Sequence, residues 1–321
     1  PFSDGYVAQE SARMWVLHGD YVKSCALGTP ADCKISEQVL FPAGYPFIIA
    51  ITHLIFGINS LNASFISAIL SSLTTIIVFL IAFFISKKEN AGLYAALIFS
   101  FIPFNILYSQ SGETRPTGLF FESLSILLFF IAIKNNKIIN WLAVVTSISY
   151  TIYVRQESYI LVPIFLLFFI IFKWKEIKDV VLKIINKYVE EDKIFFDPRL
   201  LKIIFVFSLF FILQIPVLGW MLFNNPYQSY QGGGFFALHY KGILAQGHAL
   251  FLQLFNMVPR ELGARNIFHY NIFSSVLFLF SIAVFFIVPR KKTFFILSVW
   301  VGYYIVYSLM FDGNINGTGR L

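Results

Sequence analysis

From residue 62 onward the chain alternates between long apolar runs and short polar breaks. The runs cover 62–86, 90–109, 117–134, 138–154, 159–174, 201–222, 271–289 and 292–310. None shows the in–out alternation of a barrel strand, and most approach the ~20 residues needed to cross ~30 Å of hydrocarbon. The pattern predicts membrane-crossing helices. Residues 43–57 are as apolar but shorter. Fifteen residues at 1.5 Å each reach about 22 Å, so an interfacial or re-entrant helix is predicted there. Residues 3–18 predict a short helix capped by Ser3 or Asp4. Its face of Ala8, Ala12 and Trp15 suits the membrane surface.

The fold class that follows is an all-α polytopic membrane protein, with about eight transmembrane helices and outside loops that carry interfacial helices. Residues 1–61 form the first extracytoplasmic loop. Residues 62–222 hold six crossing helices, with a charged, partly amphipathic cytoplasmic insert at 175–200. Residues 223–270 form a second extracytoplasmic segment. Residues 271–321 hold two crossing helices and an outside tail. The chain begins at Pro1 and stops at Leu321, where another span could begin. It is expected to be a fragment lacking an N-terminal anchor helix and a C-terminal portion.

Composition agrees with the pattern. The chain is 58% hydrophobic and 13% charged, against roughly 25% charged in soluble domains. Charge then sets the orientation. With the N-terminus outside and 43–57 not crossing, Lys87-Lys88, Lys134/Lys137, the stretch 173–202 and Arg290-Lys291-Lys292 all face the cytoplasm. That places 15 of the 24 Lys and Arg inside, as the positive-inside rule requires. Counting 43–57 as a span would reverse it. The net charge of +7 is explained in the same way, and no nucleic-acid partner is expected.

This topology gathers acids and arginines at the outer face. Asp4 and Glu10 lie in the first loop, and Glu37 precedes the interfacial helix. Glu113 and Arg115 share the loop Tyr108-Ser-Gln-Ser-Gly-Glu-Thr-Arg-Pro116. Glu122 lies two turns into the next span, and Arg155-Gln156-Glu157 fills a turn with almost no loop around it. Such charges at membrane depth cost about 2.5–3.5 kcal/mol each, so they are paired or functional. Glu113–Arg115 and Arg155–Glu157 could equally be local pairs closing tight turns, and Asp4 could be an N-cap alone. Cys25 and Cys33 flank a turn-rich loop that suits a local disulfide on an oxidising side, with two free thiols as the alternative. His239, His248 and His269 are irregularly spaced and read as surface histidines. Asn316-Gly317-Thr318 matches a glycosylation sequon.

The order of these features resembles a family. An outside Asp is followed by Pro42-Ala43-Gly44-Tyr45-Pro46 and an interfacial helix ending Phe56-Gly57. A span ending in Lys-Lys follows, then a span ending Tyr108-Ser109-Gln110, then Glu113-Thr114-Arg115-Pro116. This resembles the GT-C superfamily of integral-membrane glycosyltransferases, in the branch of protein O-mannosyltransferases and aminoarabinose transferases. The resemblance covers roughly residues 1–175. Two departures stand out. Members commonly show a Tyr-Ser-Gln-Glu-x-Arg-Pro-like string, and here Ser111 and Gly112 are inserted before Glu113. Many members also carry a second acid directly after the first-loop Asp, where this chain has Gly5.

The resemblance implies a sugar donor linked to polyprenyl or dolichyl phosphate and a protein, lipid or glycan acceptor. Transfer takes place on the extracytoplasmic face of the cell membrane by a single inverting displacement. Asp4 is then the base that takes the acceptor proton, and Glu113 its catalytic partner. The departing phosphate gains charge and needs a cation. Arg115, Arg155 and Arg320 are candidates, with Glu157, Glu37 and Tyr45 completing the substrate site. No cofactor is specified; a divalent cation could serve in place of an arginine, and its ligands are left open. The rival reading is a transporter or lipid flippase, which expects an internal repeat and charges near the bilayer midplane. A non-catalytic membrane subunit is a third.

Overall fold

The computed structural model describes residues 3–19, 24–25, 35–36, 43–191, 198–224, 291, 293–299 and 301. These are almost wholly helical. Helix α1 runs Ser3–His18 and α2 Gly44–Phe56, and between them β1 (Ser24–Cys25) and β2 (Ile35–Ser36) form a minimal antiparallel ladder. Then come α3 (Leu61–Ser86), α4 (Glu89–Phe101), α5 (Pro103–Ser109), α6 (Thr114–Asn135) and α7 (Ile138–Val154). A 3₁₀ turn at Gln156–Ile160 leads into α8 (Leu161–Glu191), and α9 covers Pro198–Asn224.

Two differences from the apolar pattern have clear causes. The run 90–109 is not one helix. Pro103 has no N–H to donate, and the residue before a proline is pushed to extended geometry. Ile102 accordingly sits at φ −64°, ψ 116° and separates α4 from α5. The Asn105 amide bridges the break, donating to Phe99 O at 3.3 Å while its Oδ1 accepts from Ser71 at 2.9 Å. The second difference is at the charged insert. Helix α8 passes unbroken through Trp174 and on to Glu191. The insert therefore begins as a continuation of α8, supported by an ion pair between Lys173 and Glu176 at 2.7 Å.

The helices pack α6 against α7 and α3, with α3 also against α4 and α7 against α9. Their core is aromatic: Phe129, Phe130, Phe165, Phe168 and Phe295 are buried against one another. A second, smaller core joins Ala8 and Ala12 of α1 to Tyr45, Ile49 and Ala50 of α2, with Ala63 and Val154. The Ala8/Ala12/Trp15 face expected at the membrane surface is thus covered by protein, and Trp15 packs on Phe47 with ring centroids 5.4 Å apart. Among the described residues, α3 and α6 are long and apolar enough to cross a bilayer. On its outer side α3 exposes Leu73, Ile76, Leu80 and Phe83. The expected span 271–289 and most of 292–310 lie outside the described residues.

The bundle has chemically distinct ends. The ammonium groups of Lys87 and Lys134 lie 4.3 and 5.8 Å from the centre of one ring, Phe84. The α3–α4 turn and the end of α6 therefore meet at one end. Asn136 joins α8 there through Glu176 at 3.3 Å. The Tyr108–Pro116 loop and the 3₁₀ turn cap the opposite ends of α6 and α7.

Candidate active site

The acid-bearing end is assembled by glycines. An added Cβ on Gly44 would lie 2.6 Å from the carbonyl carbon and oxygen of Tyr153 and 2.8 Å from Val154 N. Only a bare Cα lets α2 start directly against the end of α7. The Tyr150 hydroxyl locks that contact by donating to Gly44 O at 2.8 Å. This gives the Pro-Ala-Gly-Tyr-Pro string its physical sense. Gly44 seats the helix, and the next residue, Tyr45, is driven into the core with no exposed surface. Its hydroxyl lies 3.4 Å from Ser67 Oγ. Burial first holds the Tyr45 phenol far above its ordinary pKa; the Ser67 bond offsets this in part, and the nearby Glu113 charge adds to it. Tyr45 is therefore poorly suited to act as a base, and in its contact with Ser67 either hydroxyl can donate.

Glu113 is buried in spite of its charge. It sits just before α6 in extended geometry and makes no side-chain cap bond to that helix. Its Oε2 is 3.7 Å from Arg115 Nε, and Arg115 is 41% exposed. A pair so long and so wet contributes about 0–1 kcal/mol. Removing a carboxylate from water costs several kcal/mol, so Arg115 alone does not account for the burial, and it is not Glu113's sole partner. The Arg115 guanidinium also stacks over the Tyr108 ring at 4.4 Å.

The start of α1 meets this loop. A Cβ on Gly5 would lie 2.7 Å from Gly112 O and 3.6 Å from Glu113 Cγ. Asp4 precedes Gly5 in the first turn of α1, so its Cα stands about 3.8 Å from the Gly5 Cα. Farther along α1, Glu10 binds Arg13 at 2.9 Å. His53 of α2 takes a hydrogen bond on Nδ1 from Asn62 Nδ2 at 2.8 Å, and the same amide donates to Gly57 O at 2.7 Å. Burial lowers the His53 pKa, with the Glu10 charge opposing.

Arg155 lies across α6. A Cβ on Gly118 would come within 2.5 Å of Arg155 Cδ and 3.1 Å of its Cγ. One turn along α6 from Gly118, Glu122 accepts a hydrogen bond from Ser158 at 3.2 Å. The structure thus brings Asp4's helix end, Glu113, Arg115 and Tyr45 together, with Arg155 over the first turns of the same helix α6. Glu157 lies in the adjoining 3₁₀ turn. Glu37, Cys33 and Arg320 lie outside the described residues, so the Cys25–Cys33 pairing does too. Among the described residues no cluster of three or more His, Cys, Asp or Glu could hold a metal ion. Sequence reasoning missed the roles of Gly44, Gly118, Tyr150 and Ser158. Glu122 carried a signal, an acid two turns into an apolar run.

The described residues thus form a helical bundle with a buried acid, Glu113, and the arginines Arg115 and Arg155 at one end. Residues 41–187 match the family model of dolichyl-phosphate-mannose-protein mannosyltransferases. The whole fold is similar to the crystal structure of ArnT from Cupriavidus metallidurans in the apo state, with a TM-score of 0.50 and 12% identity. That match covers 95% of this chain and 54% of that one, so the chain spans about half the length of the protein it resembles. At that identity the likeness is one of fold. No curated protein sequence matches the chain. The resemblance to this family is borne out, and the family model covers the Pro-Ala-Gly-Tyr-Pro and Glu-Thr-Arg-Pro strings but begins after Asp4.

Proposed function

We propose that this chain is the sugar-transferring portion of an integral-membrane glycosyltransferase. Its donor is a sugar on polyprenyl phosphate, and its acceptor is a protein, lipid or glycan hydroxyl or amide at the extracytoplasmic surface. The observation that carries the proposal is the approach of Gly5, next to Asp4, to the buried Glu113. On this reading two carboxylate residues act together at the end of the bundle away from the Phe84 ring shared by Lys87 and Lys134. Asp4 takes the acceptor proton as the nucleophile forms its bond to the anomeric carbon. The bond from that carbon to the phosphate oxygen breaks with its electron pair on the phosphate, and the configuration inverts. Arg115 and Arg155 balance the growing phosphate charge. Glu113 orients the acceptor or an arginine, and Tyr45 lines the substrate site beside it. About eight crossing helices complete the scaffold.

The test is transfer of labelled sugar from a defined polyprenyl-phosphate donor by purified protein. Asp4→Asn keeps the size and helix-capping ability of Asp but cannot take a proton. Transfer should fall roughly 10²–10⁴-fold with protein level and donor binding unchanged. Near-wild-type transfer by Asp4→Asn would remove Asp4 from the mechanism.

A further inference from the structure

Gly5 and Gly112 stand where the chain departs from the pattern it resembles, one as a missing acid and the other as part of a two-residue insertion. In the structure they touch. Both are buried, as is Glu113. The oxygen of Gly112 faces the Cα of Gly5 so closely that a Cβ there would sit 2.7 Å from it and 3.3 Å from the carbonyl carbon. Both are backbone atoms, which cannot swing aside as a side-chain tip can.

The turn cannot retreat either. Gly112 holds φ +66°, the left-handed region open to glycine. A Cβ on it would lie 3.1 Å from Gln9 Nε2, 3.2 Å from Ala63 Cβ and 3.3 Å from Ser64 N. The turn is therefore clasped between α1 and the first turn of α3. Any side chain at position 5 must lift the start of α1, which carries Asp4, away from Glu113.

We propose that Gly5 and Gly112 are a matched pair of positioning residues whose backbone contact sets the separation of Asp4 and Glu113. The two departures are then one compensated change. The inserted turn fills the room beside position 5, and Glu113, with Cγ 3.6 Å from where a Gly5 Cβ would be, supplies the carboxylate at that spot. The functional consequence rests on the transferase reading above; the geometric one does not.

The test reads geometry and turnover separately. In a Cys25→Ser/Cys33→Ser background, Asp4→Cys and Glu113→Cys should be joined by a short bifunctional thiol reagent. Adding Gly5→Ala should lower the yield several-fold. Gly219→Ala, whose Cβ meets nothing within 4 Å, should leave it unchanged. No cross-link in the parent pair, or an equal yield with Gly5→Ala, overturns the proposal. In otherwise wild-type protein Gly5→Ala should lower kcat by about 10–100-fold, the effect of an ångström-scale misplacement, with KM for the donor little changed. Wild-type kcat in folded Gly5→Ala overturns it as well. If Gly5→Ala does not fold, Gly112→Ala carries the kinetic arm: its nearest neighbour is the tip of Gln9, a flexible amide, and it must lower kcat in the same direction or the pair has no positioning role. Cross-linking that responds as expected, alongside an active Asp4→Asn, would support the positioning and refute the transferase assignment of Asp4.

Discussion

At the acid end, surroundings shift how individual side chains titrate. Burial away from water raises the Tyr45 phenol well above its ordinary pKa, offset in part by the Ser67 contact and reinforced by the Glu113 charge. Tyr45→Phe removes only the long 3.4 Å contact with Ser67. The expected loss is about 1 kcal/mol of stability with no movement of the alkaline limb of the pH–rate profile, as read by thermal unfolding and initial rates. The Nδ1 of His53 accepts a hydrogen bond from Asn62, and burial holds the His53 pKa in the folded protein below its ordinary value, with the Glu10 charge opposing. The unfolded chain therefore binds a proton first as pH falls. The stabilisation is fully present above the unfolded pKa of about 6.5 and is lost as pH drops through the folded one. Thermal unfolding of detergent-solubilised protein should show a decline on the acid side. His53→Gln, which accepts a hydrogen bond but does not titrate, should flatten it. An unchanged acid-side decline in that variant would rule His53 out as its source.

At the scale of elements, the apolar runs name the helices because a bilayer allows few alternatives. What they do not name is where one backbone touches another. Gly44 and Tyr153 are more than a hundred residues apart, and no spacing rule joins them. The Pro-Ala-Gly-Tyr-Pro string was visible as a resemblance, but its packing role appears only when α2 meets α7. Likewise Pro103 was plain in the sequence, yet the apolar run continues through it, and only the extended Ile102 separates α4 from α5. The charges after Trp174 signal departure from lipid, which is a different thing from the end of α8. Gly44→Ala should cost about 1–3 kcal/mol, as overpacking does, because the Cβ meets backbone at 2.6 Å. Gly219→Ala, in open space in α9, should instead be neutral or stabilise by up to about 1 kcal/mol. Denaturation of both variants in one detergent checks the contrast, and equal effects would refute the close approach of α2 to α7.

Over the whole molecule, charge parity foretold an end rich in lysine and an end rich in acid. The shared Phe84 ring at one end and the Gly5–Gly112 contact at the other give those ends a physical form. The positive-inside rule predicts the sidedness, and sealed vesicles test it. Lys88→Cys and Gln110→Cys lie at exposed positions, and an impermeant thiol reagent should reach them from opposite sides. Labelling from one side would contradict the topology.

The central claim is that the buried carboxylate of Glu113, beside Asp4's helix, serves sugar transfer. It is tested most directly by Glu113→Gln in the polyprenyl-phosphate sugar assay, on protein shown to be folded. Gln fills the same space beside Tyr45 and removes the charge. The account predicts a fall in kcat of roughly 10²-fold or more, with unfolding temperature and donor KM close to wild type. Transfer at the wild-type rate by Glu113→Gln would contradict it.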